Sequence, residues 1–171
     1  FDADTTMINA ELARIFERIA DLLEIDGADG FRVNSYRRAS RTLKDTTDDV
    51  AELAGQNRLT DLTGVGKGTA ERIRQYLDTG HIDVLDELEK KLPKELPQLL
   101  EIQGMGPKKV GLVYKQLSIS TLEQLEGAAK AQQLRDLAGM GQKTEEKILK
   151  GIEDLKKTAG RNLISTVWSV A

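Results

Sequence analysis

Three copies of one glycine-centred pattern contain the residues whose types and spacing could do chemistry in this chain. The copies are LTGVGKG at 62–68, IQGMGPK at 102–108 and LAGMGQK at 137–143. Each places an apolar residue between two glycines, and each precedes a segment with a helical spacing of apolar residues. The first glycines lie 40 residues apart (64 to 104) and then 35 residues apart (104 to 139), which suits a repeated supersecondary unit. The pattern therefore predicts three similar connections between helices.

The chemistry that suits this pattern is the binding of phosphate oxygens. A chain that ends one helix and starts another within a few residues needs a positive φ, which glycine adopts without a Cβ penalty. The second glycine leaves the amides at the start of the next helix uncovered, and these N–H groups attract anions together with the helix dipole. The predicted contacts are Gly64, Gly66, Gly68, Gly104, Gly106, Gly139 and Gly141, with added charge from Lys67, Lys108, Lys109 and Lys143.

The third copy leaves two interpretations open. Glu145 and Glu146 fall in the first turn of its following helix, where carboxylates would repel a phosphate. This copy either binds phosphate as the others do or serves chiefly as a packing repeat, with both glutamates expected on the surface. Nothing in the three copies offers side chains that read base edges, so binding is expected to follow the backbone and not the base sequence.

Helices must position these turns, and the spacing of apolar residues is helical almost throughout. It predicts helices over 9–25, 32–44, 47–54, 67–79, 82–91 and 94–101. Alternation with period 2 is not sustained over any strand-length segment, and β-branched residues do not cluster before the last dozen positions. The expected fold class is all-α.

Charge is distributed unevenly along the chain. The 171 residues carry a formal net charge of -3, which ordinarily counts against a nucleic-acid partner. Residues 1–30, however, hold eight acids and two arginines, a local charge of -6, whereas residues 31–44 hold five basic residues and no acid, a local charge of +5. Since surface fields depend on local arrangement, the total does not exclude DNA.

Composition excludes several other classes of protein and site. There is no cysteine and one histidine, so a disulfide framework and a cysteine-based zinc site are excluded. No apolar run is long enough to span a bilayer, and no membrane partner is expected. The composition suits a reducing cytoplasm, and the absence of Met at position 1 suggests a trimmed or processed end.

The repeated pattern is the helix-hairpin-helix signature, and the order of motifs over about 8–160 resembles the family X DNA polymerases, especially their bacterial members. The segments that carry the resemblance are FRVNSYRRAS at 31–40, LTGVGKGTAERIRQYLDTG at 62–80, GMGPKK at 104–109 and LAGMGQK at 137–143. The resemblance implies a lyase-type helical domain over 1–80, the second and third helix-hairpin-helix units over 81–160, and the start of a truncated helix over 161–171 that leads to a missing palm domain.

The resemblance also implies roles for particular residues. Arg32 and Tyr36 match the positions that hold the 5′-phosphate of a gapped strand, with Arg37 and Arg38 nearby. The first hairpin would contact the strand downstream of the gap and the second the primer side. Backbone carbonyls would bind a monovalent cation, K⁺ or Na⁺, that links each hairpin to a phosphate. The implied ligands are the carbonyls of Thr60, Leu62 and Val65 in the first hairpin, and of Leu100, Ile102 and Met105 in the second.

One departure from the family pattern bears on catalysis. Family members that remove a 5′-deoxyribose phosphate use a lysine as Schiff-base nucleophile, and Arg72 stands at that position. A guanidinium stays protonated and cannot act as the amine, so no catalytic residue is assigned. Arg72 is expected to contact DNA instead. Mg²⁺ would belong only to the palm, whose metal-binding carboxylates are absent here.

These expectations combine into one leading function and two alternatives. The chain is expected to bind gapped or nicked DNA independently of sequence, as the N-terminal piece of a family X polymerase in DNA repair synthesis such as base excision repair. It would be a monomer without a small-molecule substrate, located in the cytoplasm at the nucleoid. The alternatives are an independent 5′-deoxyribose-phosphate lyase that uses another lysine, and a protein-interaction scaffold whose glycines only turn corners.

Overall fold

The computed structural model describes residues 3–170 of the chain, with side chains described from 7 to 160. Over this part all regular structure is helical, and no strand forms. The α-helices are α1 (Ala3–Asp26), α2 (Gly30–Asp45), α3 (Val50–Gly55), α4 (Lys67–Thr79), α5 (Asp83–Lys91), α6 (Pro107–Leu117), α7 (Leu122–Lys130) and α8 (Gln142–Val170), and short 3₁₀ segments occupy Leu59–Asp61 and Leu96–Glu101. The predicted all-α class is confirmed.

Two predicted helices differ from those observed in ways that local chemistry explains. The helix predicted over 47–54 begins only at Val50, because the Asp49 side chain accepts hydrogen bonds from the amides of Ala51 and Glu52 and caps the helix there. The helix predicted over 94–101 is the 3₁₀ segment Leu96–Glu101, which has a proline in its first turn. Both segments lead toward hairpins.

The chain divides into two compact units with the boundary between Leu92 and Pro93, beyond the boundary at 80 that the sequence suggested. The reason is α5, which packs on α1 through buried Val84 and Leu88. Ion pairs of 3.0 Å between Arg18 and Glu89 and between Lys91 and Asp26 hold the same two helices together. Of the truncated helix expected over 161–171, the backbone to Val170 is part of α8, and the side chains lie outside those described.

The core of the first unit is the pairing of α1 with α2. Phe16 is fully buried, and the Tyr36 ring meets it edge-on with centroids 5.7 Å apart. The buried Ser40 hydroxyl donates a 2.7 Å hydrogen bond to the carbonyl of Ala13, which satisfies a polar group inside this interface. Because Tyr36 and Ser40 both contact α1, the pairing holds α2 in place, and the residues on its exposed face have defined positions.

The second unit closes around the helix that follows its last hairpin. α7 packs on α8, and Ile148 and Ile152 of α8 are fully buried. At Gly151, α8 lies so close to the 102–103 backbone that an added Cβ would be 2.9 Å from the Ile102 side chain and 3.0 Å from the Gln103 carbonyl oxygen. Gly151 therefore lets the helix rest directly on the segment that leads into the second hairpin.

Within residues 3–170, no helix combines the length and the apolar content needed to cross a lipid bilayer.

Replacing Gly151 with alanine is expected to destabilise the second unit by about 1–3 kcal/mol, because the new methyl group overlaps backbone that cannot rotate away. Helix propensity alone would favour alanine by about 1 kcal/mol. Gly127→Ala in α7 is the matched control, since its added Cβ meets no described atom within 4 Å. Urea unfolding followed by circular dichroism should show opposite shifts for the two variants. A stabilised Gly151→Ala protein would contradict the close approach.

Candidate nucleic-acid interface

The three hairpins share one backbone geometry. In each, the first glycine has a positive φ, +88° at Gly64, +97° at Gly104 and +77° at Gly139. The amide of the next residue donates to the carbonyl three positions earlier, with distances of 3.1 Å for Val65 to Leu62, 3.0 Å for Met105 to Ile102 and 3.0 Å for Met140 to Leu137. The sequence repeat is therefore a structural repeat.

A second backbone turn, just before each hairpin, connects the hairpin to a buried leucine. The amides of Leu62, Ile102 and Leu137 donate to the carbonyls of Leu59, Leu99 and Leu134, and these three leucines are 0% exposed. The residue between the glycines is buried in the first two copies, as Val65 and Met105, but only half-buried in the third, as Met140. The first two hairpins are thus the more firmly packed.

The helices after the first two hairpins begin with open amides. Gly66 and Gly106 are the N-caps of α4 and α6, and no described side chain caps either helix. Their φ angles of -89° and -93° suit any residue. An added Cβ at either glycine would meet no described atom within 4 Å. Since the fold itself requires a glycine at neither position, the free space suits a ligand that approaches the amides from outside.

Basic residues of α2 lie beside the first hairpin. The Thr42 hydroxyl donates a 2.6 Å hydrogen bond to the Thr63 carbonyl, and a Cβ added at Gly64 would lie 2.8 Å from Cγ of Arg38. A groove of about 510 Å³ runs between α2 and the hairpin and is lined by Arg38, Arg41, Thr42, Asp45, Thr46, Leu62 and Thr63. The structure therefore brings Arg38 and the first hairpin together, and it adds Arg41, which the predicted contacts did not include.

Arg37 has a different environment from its neighbour Arg38. Its guanidinium lies 2.6 Å from Glu17, 3.0 Å from Asp21 and 3.4 Å from Glu24, all on α1. Burial raises the pKa of Asp21 above its usual value, although the hydrogen bond and charge of Arg37 oppose that rise. A guanidinium shared by three carboxylates has little charge left for a phosphate. Its predicted contact with DNA stays a prediction, and the geometry gives it a packing role.

The other side chains of the first unit that were predicted to contact DNA through charge or through a 5′-phosphate are spread over it. The Tyr36 ring is in the α1–α2 core. Arg32 is exposed and lines a cleft with Asp26, Glu87 and Lys91, separate from the groove that Arg38 lines. Arg72 is half-buried on α4. Of this set, Arg38 is the one that the structure places against the first hairpin.

Phe31 is not among the residues that the sequence predicted to contact DNA. It is the second residue of α2, it is 92% exposed, and it precedes the exposed Arg32. A fully exposed phenylalanine stabilises no core, whereas an aromatic ring beside a basic group can stack on an unpaired base. The sequence signal was its position outside the apolar stripe that Val33, Tyr36, Ala39 and Leu43 form.

The third hairpin contains a buried ion pair where the others have apolar packing. Counted from the second glycine, Glu145 corresponds to Ala70 and Val110, and all three donate their amide to that glycine's carbonyl. Glu145 is 1% exposed, which corrects the expectation that it lies on the surface. Its carboxylate accepts hydrogen bonds from the Arg135 backbone amide at 3.0 Å and from the guanidinium at 2.8 and 3.1 Å.

The charge of Glu145 is therefore satisfied inside the hairpin and not displayed to a ligand. Burial by itself would raise the pKa of Glu145, but the hydrogen bonds and charge of Arg135 outweigh burial and lower it. Lys143 is exposed at the second position of α8, and Glu146 stays exposed beside it, with a 3.2 Å hydrogen bond from Gln142. The carboxylate in this hairpin therefore serves its internal ion pair, and the glycines of the hairpin remain predicted contacts.

The carbonyls implied as cation ligands lie in matching places in the first two hairpins. Those of Leu62 and Ile102 each accept one hydrogen bond, which leaves one lone pair on each oxygen. Thr60 and Leu100 lie in the 3₁₀ segments that precede the hairpins. In the third copy, Arg135 stands at the corresponding position. The first two hairpins thus offer carbonyl oxygens of the kind that a monovalent cation binds, and the cation itself stays a prediction. Within the described residues no cluster of His, Cys, Asp or Glu could hold a metal ion.

Comparison with known proteins finds helix-hairpin-helix matches in both halves of the chain. A model described as a helix-hairpin-helix domain matches residues 7–82, and one described as a SAM-like helix-hairpin-helix tandem matches residues 96–154. The two matched regions are therefore similar to helix-hairpin-helix domains. The first match includes the hairpin at 62–68, and the second includes those at 102–108 and 137–143, so each observed repeat lies in a matched region.

One curated relative joins the two helix-hairpin-helix regions in a single protein. The chain is 34% identical over 165 residues to the DNA polymerase/3'-5' exonuclease PolX of Bacillus subtilis (strain 168). The alignment covers 96% of this chain but 28% of that protein, so the chain spans less than a third of the length of this relative. The predicted resemblance to the N-terminal region of a bacterial family X DNA polymerase is confirmed.

Glu145→Gln is expected to destabilise the second unit by about 1–3 kcal/mol, because it removes the charge that satisfies Arg135. Since the folded pKa of Glu145 is lowered, its contribution is present at neutral pH and is lost as pH falls below its usual pKa of 4.5. Unfolding measured between neutral and acidic pH should therefore show a smaller pH dependence for Glu145→Gln. Glu146→Gln is the control with an exposed carboxylate, and equal effects of both variants would contradict the buried pair.

Proposed function

We propose that this chain binds the phosphate backbone of gapped or nicked DNA without sequence preference, as the DNA-binding part of a family X DNA polymerase. The observation that carries the proposal is the pair of uncapped helix N-termini at Gly66 and Gly106, each with open space where a side chain would be. The two helix-hairpin-helix matches and the similarity to a DNA polymerase support DNA binding.

The placement of charges explains how a protein with a net charge of -3 can present basic side chains beside its hairpins. Glu17, Asp21 and Glu24 of α1 lie around Arg37, whose single positive charge offsets part of theirs. Arg38, Arg41 and Lys67 are exposed around the first hairpin, and Lys108 is exposed beside the second. Their charge adds to the open amides and favours phosphates in a way that salt should weaken.

Preference for a gap is the finer part of the proposal, and the first unit supports it. Exposed Arg32 and Phe31 stand together at the start of α2. A positive group can bind a terminal 5′-phosphate, while the aromatic ring stacks on the unpaired template base, and intact duplex offers neither feature. Repair synthesis would follow if the remaining length of the parent protein supplies nucleotidyl transfer, with Mg²⁺ bound there.

The main test replaces the N-cap glycines. Gly66→Ala and Gly106→Ala should each weaken binding of a gapped duplex by about 10-fold, because a methyl group blocks a charge-assisted hydrogen bond to phosphate. The slope of log affinity against log salt should change little, because neither substitution removes a positive charge. Fluorescence anisotropy over a salt series, with nicked, gapped and intact duplexes with and without a 5′-phosphate, measures both quantities.

Gly127→Ala serves as the control for these variants, since it adds the same methyl group in open space on α7. All three proteins should fold normally because none of these glycines has a positive φ. Unchanged DNA affinity in folded Gly66→Ala and Gly106→Ala proteins would favour the interaction-scaffold alternative. Equal affinity for intact and gapped duplexes would remove the gap preference alone.

Phe31→Ala should weaken binding to gapped DNA by about 1–3 kcal/mol and leave binding to intact duplex nearly unchanged, because only a gap offers an unpaired base for stacking. The melting temperature should not fall, since the ring is 92% exposed. Phe31→Tyr keeps a stacking surface and should retain most of the affinity. A uniform loss on both duplexes would show that Phe31 does not distinguish them.

A further inference from the structure

Lys109 stands at a position where the three hairpins differ. It is the third residue of α6, three positions after Gly106. The corresponding residues are Thr69, three positions after Gly66, and Thr144, three positions after Gly141. Both are neutral, so the second hairpin has a charge at a place where the other two have a hydroxyl group.

The Lys109 side chain turns back onto its own hairpin. Its ammonium group donates a 3.2 Å hydrogen bond to the carbonyl oxygen of Gly104, the glycine with positive φ. The side chain is half-buried, while its neighbour Lys108 is exposed. Lys109 is thus part of the turn, whereas Lys108 adds charge at the surface of the same helix end.

The carbonyl that Lys109 contacts belongs to the same turn as the carbonyls that the family resemblance implies as cation ligands. The implied ligands are the carbonyls of Leu100, Ile102 and Met105, and Gly104 lies between the last two in the chain. An ammonium group and K⁺ carry the same charge and both bind carbonyl oxygens, so neighbouring sites for the two would repel each other. The second hairpin therefore fits a bound monovalent cation less well than the first.

We propose that the Lys109 ammonium group takes the place of the monovalent cation in the second hairpin and links its backbone to a DNA phosphate. A lysine has three N–H donors. One is used on Gly104, and the others are available to a phosphate oxygen at the adjacent open amides. DNA binding by the second hairpin is then independent of K⁺ or Na⁺, and only the first hairpin depends on a bound cation. This inference rests on the proposed phosphate binding by the second hairpin.

The experiment compares cations at equal ionic strength. The reference protein for this experiment, called the parent chain, carries Gly66→Ala, which blocks the first hairpin. It is titrated with a gapped duplex that has a 5′-phosphate, once in potassium chloride and once in tetramethylammonium chloride. The tetramethylammonium cation is too bulky for a site made of carbonyl oxygens. Lys109→Thr introduces the residue that the other two hairpins have. Lys108→Thr removes the same charge one position earlier and is the matched control.

The parent chain should bind equally well in the two salts. Lys109→Thr should bind about 10-fold more weakly in tetramethylammonium and recover most of that affinity in potassium, because K⁺ can then enter the vacated position. Lys108→Thr should lose affinity to the same extent in both salts. Without DNA, added K⁺ should shift the NMR amide signals of residues 100–109 in the Lys109→Thr protein and not in the parent.

Two results would overturn the inference. A parent chain that depends on K⁺ as strongly as Lys109→Thr would show that a cation binds despite Lys109. Equal losses for Lys109→Thr and Lys108→Thr in both salts would show that Lys109 contributes charge alone. Adding Gly106→Ala to the parent separates these results from failure of the proposed function. If that substitution leaves affinity unchanged, the second hairpin does not bind phosphate, and the inference falls with it.

Discussion

Each hairpin must end one helix and begin another within a few residues, and it must do so without leaving its own carbonyls unsatisfied. The amide after the first glycine turns inward to the carbonyl three positions earlier, above a leucine that is fully buried. This arrangement requires the positive φ of that glycine. It also leaves the first amides of the next helix without internal partners. The capacity to bind an anion is therefore a consequence of the turn itself.

The units around the hairpins determine which charges remain available. Arg37 and Arg38 are consecutive, yet α2 directs one toward three carboxylates of α1 and the other toward the first hairpin. Consecutive residues point about 100° apart on a helix. One therefore contributes to the helix pairing and the other to the groove beside the hairpin. Local geometry, more than total charge, thus places basic side chains beside the first hairpin.

The three copies keep the turn and differ in the first turn of the following helix. At one position they have Ala70, Val110 and Glu145, all buried. The third copy compensates its carboxylate with Arg135, so its charge serves packing. One position earlier they have Thr69, Lys109 and Thr144. The ammonium group of Lys109 donates a hydrogen bond to the Gly104 carbonyl of its own hairpin. A repeated backbone can thus support different chemistry in each copy without a change in fold.

The sequence by itself determined the all-α class, the three hairpins and their glycines, because φ preference and helical spacing are local properties that residue type expresses directly. It did not determine that Glu145 is buried, since that depends on Arg135 ten positions earlier. Comparison of the repeats could have shown it, because a glutamate stands there at an otherwise apolar position. The sequence also suggested a domain boundary at residue 80, before α5, whereas the structure has it after Leu92. The difference arises because α5 packs on α1, a contact between distant segments that residue order does not show. Only the tertiary structure decided which arginines face carboxylates, that Phe31 is exposed beside Arg32, and that Lys109 turns back to Gly104. Each of these depends on what a side chain meets across the fold, which residue order alone does not specify.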